Sequence, residues 1–291
     1  MALEIEIMQK GLFKKELKLS DITGKNLRYG VLDDAWRLVE GSQKGDMLVV
    51  YDPDHIGRGI EVGWKPRIRD HLKIRMPLPS TSYDVDMLYD VVERVLDVWD
   101  MDSFVQDDEV AEREELGKYR AGKKEENLKL LANMNETLQG SPVDIMMCVM
   151  WPLSIRTQYL VELGVNRDAE SFASYLHDHQ AVDFYYAVPR FYQTEKNEIV
   201  GHYVITSQTD SIIPLQPDDA LYMTVNGRRL DCTSFRVSLA SIEEGKIIAD
   251  MPWEAFRMHM HFDRLQRFDE GHVILPAISE KQIHELADKW R

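Results

Sequence analysis

Leu3, Ile5 and Ile7 alternate with Glu4 and Glu6 at the start of the chain, a period of two that predicts a strand with one buried face. Met47–Val50 is a continuous β-prone run, and Leu72, Ile74, Met76 and Leu78 alternate again before two prolines, so residues 3–78 are expected to form a small antiparallel sheet. The period then changes. Pro79-Ser-Thr-Ser offers a helix start, and Val85, Leu88, Tyr89, Val92, Leu96 and Trp99 recur at helical spacing on one face. Residues 102–117 carry seven acids and one base, and residues 118–129 five bases and two acids. With Glu109/Arg113, Glu114/Lys118 and Glu125/Lys129 four apart in the favourable order, this stretch is expected to be a solvated helix. Leu128, Leu131, Met134 and Leu138 add a narrow apolar stripe before Gly140-Ser141-Pro142 breaks the pattern, and a boundary is expected there.

The second half opens on a buried-strand candidate, Val143–Met150, followed by a helix around Phe172, Tyr175, Leu176 and His179 behind the cap candidates Asn166 and Asp168. Two hairpins are expected next. Phe184–Tyr192 and Ile199–Thr206 flank Glu195-Lys196-Asn197, and Leu221–Val225 with Arg228–Cys232 flank Asn226-Gly227, a dipeptide that tolerates two positive φ values. The chain closes with a strand over His272–Leu275 and a helix whose Ser279 and Gln282 form a capping box ahead of Ile283, Leu286, Ala287 and Trp290. These elements predict an α+β protein with largely antiparallel sheets and long helices, built as two packed units: a β-rich segment with long helices over 1–140, and a mixed unit with antiparallel hairpins over 141–291.

The Pro77-Leu-Pro-Ser-Thr-Ser-Tyr-Asp entry into an acidic helix resembles an uncharacterised bacterial family, a domain of unknown function. The resemblance implies a cytoplasmic bacterial origin. It transfers no activity and no functional residue.

Composition narrows the function classes. The formal charge of -15 is spread evenly, with 28 acids and 21 bases in residues 1–140 and 22 acids and 14 bases in residues 141–291. Nucleic-acid binding rests on clustered Lys and Arg that release counterions from phosphates, so nucleic acid is not an expected partner. The Glu4 and Glu6 carboxylates stand where a leader would carry bases, and the longest apolar run, Ile145–Leu153, is far shorter than the roughly 20 residues a spanning helix needs. Cys148 and Cys232 are the only cysteines, one inside that apolar run, which suits thiols in a reducing compartment. A cytoplasmic location without membrane contact is the expectation.

Candidate chemistry is sparse. Gly57-Arg58-Gly59 with Gly63 approaches a phosphate-cradling loop, but the glycine spacing is off by one and the following Ile60-Glu-Val reads as a strand, so a hairpin loop is expected. Asp52 and Asp54 fail as a calcium loop because Ile56 and Gly63 stand where oxygen ligands belong. His177 and His179 are two apart on a helix, about 200° apart at ~3.6 residues per turn, and cannot share an ion. His259, His261 and Asp263 would share one face if their segment were a strand, giving two imidazoles and a carboxylate, the donor set of an open zinc or iron site. Pro252, Trp253, Phe256 and Met260 also fit a helix, which would scatter them. Cys148, among methionines and valines, reads as an inert core thiol. The aromatic strand Phe184-Tyr185-Tyr186 with Phe191-Tyr192 reads as sheet packing, or else as a stacking surface for a small molecule.

The leading expectation is therefore a non-enzymatic interaction or regulatory protein, an immunity-type protein being one case, with Asp107, Asp108, Glu109, Glu112, Glu114 and Glu115 facing a basic protein partner. The alternatives are a metal-dependent enzyme using His259, His261 and Asp263, and a small-molecule binder. No catalytic residue is assigned, and no cofactor is expected outside the zinc or iron alternative.

Overall fold

The computed structural model describes residues 1–65, 67–217, 224–225, 228–229 and 232–290. They form two compact units, Met1–Val182 and Asp183–Arg291, so residues 141–182 fold with the first unit.

In the first unit the alternating segments pair as the pattern requires. The strands β1 (Ala2–Met8), β2 (Arg28–Leu32), β3 (Leu38–Glu40), β4 (Met47–Tyr51), β5 (Ile60–Gly63), β6 (His71–Pro77), β7 (Ser103–Gln106) and β8 (Glu109–Glu112) make one sheet in the order β3-β2-β4-β5-β6-β1-β7-β8. Each neighbouring pair is antiparallel. The helix α1 (Leu19–Thr23) and the long helix α2 (Ser82–Trp99) accompany it. Leu3, Ile5 and Ile7 of β1, Leu72, Ile74 and Met76 of β6 and Ile60 and Val62 of β5 enter one core with Val85, Leu88, Val92, Leu96 and Trp99 of α2. The helix face read from the sequence is thus the face that closes the sheet.

Helices α3 (Leu116–Ala132) and α4 (Met134–Thr137), the hairpin β9 (Val143–Met146) and β10 (Leu153–Arg156), and helices α5 (Thr157–Asn166) and α6 (Ala169–Gln180) complete this unit. Asp168 caps α6, accepting from the Ser171 N–H at 3.0 Å, whereas Asn166 ends α5. The expected buried strand 143–150 is only half strand. It turns back into β10, and Ile145 is exposed, because the hairpin offers one face to the interior. Cys148 is buried and Cys232 half-buried, and neither is held in a disulfide.

One buried carboxylate ties these layers together. Thr81 is the N-cap of α2, with its hydroxyl accepting from the Asp84 N–H at 3.0 Å, and Asp84 is 2% exposed. Asp84 accepts from the Ser80 hydroxyl at 2.7 Å, the Thr81 hydroxyl at 2.8 Å, and the backbone N–H groups of Arg58 and Gly59 at 3.0 and 2.9 Å. Gly57-Arg58-Gly59 is the loop between β4 and β5, as expected, and what its amides cradle is this side chain. A Cβ at Gly57 would meet Asp84 Oδ2 at 2.4 Å, and Gly59 sits at φ +67°, so both glycines are required. Arg58 extends the tie, donating from Nε to the Met147 carbonyl at 2.9 Å and from Nη1 to the Pro79 carbonyl at 2.8 Å. Asn127 of α3 accepts from the Ser80 N–H at 2.6 Å.

The second unit holds β11 (Tyr185–Tyr186), β12 (Arg190–Gln193), β13 (Ile199–Thr206), β14 (Ser211–Pro214), β15 (Thr224–Val225), β16 (Arg228–Arg229), β17 (Ser234–Ser241), β18 (Lys246–Pro252), α7 (Trp253–His259), β19 (His272–Leu275) and α8 (Glu280–Trp290). Its four-stranded sheet runs β12-β13-β17-β18, with β13 and β17 parallel, and β11-β14-β19 form a second sheet. The first expected hairpin is β12 with β13. Tyr185 and Tyr186 instead pair in parallel with Ser211 and Ile212, since Val188 and Pro189 lie between them and β12. β15 and β16 are antiparallel as expected, but the Asn226-Gly227 turn itself lies outside the described residues. Ser279 accepts from the Gln282 N–H at 3.3 Å and donates to Gln282 Oε1 at 2.8 Å, the predicted capping box, and Ile283, Leu286 and Ala287 are buried. Among the described residues no helix is long and apolar enough to cross a membrane.

Asp84→Ala strands several buried donors at once and is expected to cost about 3–5 kcal/mol in urea denaturation, the range for breaking a buried charged hydrogen-bond centre. Asp168, whose carboxyl is held below its ordinary 3.8 by the Ser171 hydrogen bonds, gives a pH test of the cap. A depressed folded value adds stability above the unfolded value and loses it as pH falls through the folded one. Asp168→Asn should therefore differ most from the parent near neutral pH, with the difference in melting temperature shrinking as pH drops below the ordinary carboxylate value.

Candidate functional site

The alternation that buries one face of the eight-stranded sheet puts charge on the other. Glu4 and Glu6 of β1, Glu61 of β5 and His71, Lys73 and Arg75 of β6 lie on this outer face in adjacent strands. Lys73 Nζ is 2.6 Å from Glu4 and 3.7 Å from Glu6, His71 Nε2 is 3.2 Å from Glu6, and Arg75 is 2.7 Å from Glu61. The Glu4 hydrogen bond holds the Lys73 ammonium above its ordinary range.

Past β1 the matching stops and acids accumulate on the β7–β8 hairpin. Residues 103–112 are therefore not helical as expected, and the helical stretch begins only with the 3-10 turn Arg113–Glu115 ahead of α3: two strands are joined by Asp107-Asp108, at φ +49° and +67°, a left-handed pair that aspartate tolerates and a right-twisted hairpin needs. Phe104 and Ala111 face inward across the hairpin, a two-residue period hidden beneath the charge pattern. The expected pairs Glu109/Arg113 and Glu114/Lys118 are accordingly replaced: Arg113 pairs with Asp97 and Lys118 with Glu115, while Glu125 and Lys129, within α3, do meet at 3.7 Å.

The six candidate acids divide by what they touch. Asp107 accepts from the Glu4 N–H at 3.1 Å and pairs with Lys123 at 3.3 Å, so it is structural. Glu115 accepts from Lys118 and from the Tyr119 hydroxyl, each at 3.0 Å; the Lys118 bond first and then the Tyr119 bond hold its carboxyl below the usual range. Asp108, Glu109, Glu112 and Glu114 are exposed. Between them Val110 is 69% exposed on β8, whose single strand neighbour among the described residues is β7. Glu4, Glu6, Val105, Asp107 and Asp108 line a shallow depression of about 210 Å³ beside this edge.

The metal candidates are not brought onto one face. His259 ends α7, His261 has left-handed backbone at φ +50°, and Asp263 lies in the 3-10 turn Phe262–Arg264. The helix forms because Trp253 and Phe256 are buried at helical spacing, which removes the strand alternation that would have aligned the three donors. No group of three potential ligands is found among the described residues. Burial first, then the charges of Lys289 and His261, hold His259 below the ordinary imidazole range. His179 is bonded to its own helix through the Tyr175 carbonyl at 2.7 Å, and His177 Nδ1 accepts from the Ile56 N–H at 3.0 Å.

Two histidine networks in the second unit were missed from sequence, because their members come from separate strands. Ser238 Oγ lies 3.2 Å from His202 Nδ1 and His202 Nε2 lies 3.4 Å from Asp250, which Arg236 clamps. The order resembles a hydrolytic triad, but Ser238 is 1% exposed and its hydroxyl is closed to a substrate. Asp269 Oδ1 accepts from the Gly271 N–H at 2.8 Å and meets His272 Nδ1 at 2.8 Å, placing the ring proton there. His272 Nε2 then accepts from the Tyr186 hydroxyl at 3.1 Å. Tyr186, on the aromatic segment considered for stacking, is thus spent on an internal bond. A third feature was legible but unread: Lys65, Arg67, Arg69, His71, Lys73 and Arg75 repeat at a period of two inside an acidic chain.

The chain matches the model of a domain of unknown function, DUF4299, over residues 2–286, and it belongs to that family. No curated protein and no solved structure matches it.

Asp269→Asn is expected to destabilise the second unit by about 1–3 kcal/mol, the cost of disturbing a buried hydrogen-bond partner. Nitrogen shifts of the imidazole should show the Nδ1–H tautomer in the parent protein and a mixture in the variant.

Proposed function

We propose that this chain is a non-enzymatic interaction protein that receives a basic protein segment on the acidic end of its outer sheet face. The observation that carries the reading is β8, an edge strand with Val110 exposed between Glu109 and Glu112 beside the acid-lined depression. An edge strand presents unpaired backbone groups, and a peptide strand that adds to it gains main-chain hydrogen bonds while its side chains read the neighbouring face. Here that face selects Lys and Arg, with an apolar contact for Val110. The formal charge of -15 supports the reading through faster encounter with cations. A regulatory or immunity-type role is one setting for such a contact, and a cytoplasmic location suits cysteines that form no disulfide.

The division of the acids decides the test. Reversing Asp107 or Glu115 would disturb internal bonds, so the informative variant is Asp108→Lys, Glu109→Lys and Glu112→Lys together. It is expected to melt as the parent does and to slow association with the captured partner about tenfold or more at low ionic strength, converging with the parent as salt screens the charges. Zero-length carbodiimide coupling should join partner lysines to Asp108, Glu109 or Glu112. Unchanged association rates, or coupling elsewhere on the chain, overturn the proposal.

A further inference from the structure

The same outer face carries, where β5 runs into β6, a groove lined mainly by cations. Lys65, Arg67, Arg69 and Lys73, with Asp46 and Asp70, line a space of about 310 Å³ at the connection from β5 to β6. Its lining holds four cations against two carboxylates, in a chain whose net charge is -15. We propose that this groove binds a small, multiply charged phosphate compound.

Three observations support that class of ligand. First, the groove's ion pairs engage only some of its cations. Arg69 is 2.9 Å from Glu16, which its hydrogen bond keeps below the ordinary carboxylate range, and Lys73 is fixed by Glu4 and Glu6. Lys14 lies 3.3 Å from Asp70, offsetting one of the two lining acids. Arg67 and Lys65 are exposed and make no ion pair among the described residues, so these two cations are the donors that a phosphate group would meet.

Second, Gly63 lines the space and puts no side chain into it. Gly63 stands across from Lys73 in the β5–β6 ladder, and a Cβ there would lie 3.4 Å from the Lys73 carbonyl oxygen and 3.8 Å from its Cβ. Those are ordinary contacts at an ordinary φ, so the backbone does not demand glycine and a larger side chain would simply fill the groove.

Third, the surroundings set the ligand's size. Screening confines each charge to about 8 Å at physiological salt, so a compact anion in the groove feels the local cations. An extended phosphate backbone would pass from Arg67 and Lys65 onto cations that Glu4, Glu6, Glu16 and Glu61 already balance, and would gain no further contact.

Calorimetric titration of the full chain with inorganic pyrophosphate in phosphate-free buffer tests the site. One binding event is expected, weakened about tenfold by Arg67→Glu, since one charge-assisted contact is then replaced by a repulsive one. It should be lost in Gly63→Leu and be unchanged in Asp108→Lys, with melting curves confirming that each variant is folded. Adenosine diphosphate binding equal to pyrophosphate assigns recognition to the phosphates alone, and tighter binding assigns a nucleotide as their source. Absence of binding at millimolar pyrophosphate, affinity unaffected by both groove variants, or a single-stranded decanucleotide bound more tightly than pyrophosphate would each overturn the proposal.

Discussion

The architecture of the first unit depends on the carboxylate of Asp84. A carboxylate removed from water must find hydrogen-bond donors, and here they come from three places: the hydroxyls of the α2 cap, the amides of the β4–β5 loop, and the cap backbone. Each donor fixes a different segment. The helix start, the glycine loop and, through Arg58 and Asn127, the Met147 carbonyl and α3 are thereby placed relative to one charge. Hydrophobic burial alone would let α2 slide along the sheet, because apolar contact is non-directional. The polar centre gives the packed layers one register.

The same arrangement explains why the glycine motif misled in one respect and informed in another. Backbone amides arranged by closely spaced glycines do bind an anion, as that spacing suggests. The anion is supplied by the chain itself, 25 residues away. A ligand loop and a structural loop share this local chemistry, and only the third dimension shows which carboxylate or phosphate fills it.

Where the burial period was strong, the sequence was readable: β1, β6, α2 and the capping box of α8 stand where the alternation or the Ser279/Gln282 pair put them. It was unreadable where charge spacing imitated a helix. Glu109 of the β7–β8 hairpin and Arg113 just after it are four apart by coincidence, and the inward pair Phe104/Ala111 was too short a signal to outweigh seven acids. Over His259, His261 and Asp263 the strand and helix periods were both legible, and the burial of Trp253 and Phe256 at helical spacing decided between them. The six candidate acids were found as a group, yet their division into structural and solvent-facing members needed the turn at Asp107-Asp108. The basic row from Lys65 to Arg75 was plain in the sequence, but averaging charge over half the chain concealed it.

An open strand bearing Val110 would ordinarily invite copies of the same molecule to stack edge to edge and aggregate. Two such edges brought together here would set Glu109, Glu112 and the aspartates of each turn against their own kind, and like charges directly opposite across a ladder are repulsive. The edge is therefore guarded against its own copies by its carboxylates, whereas a strand of opposite charge would meet no such repulsion.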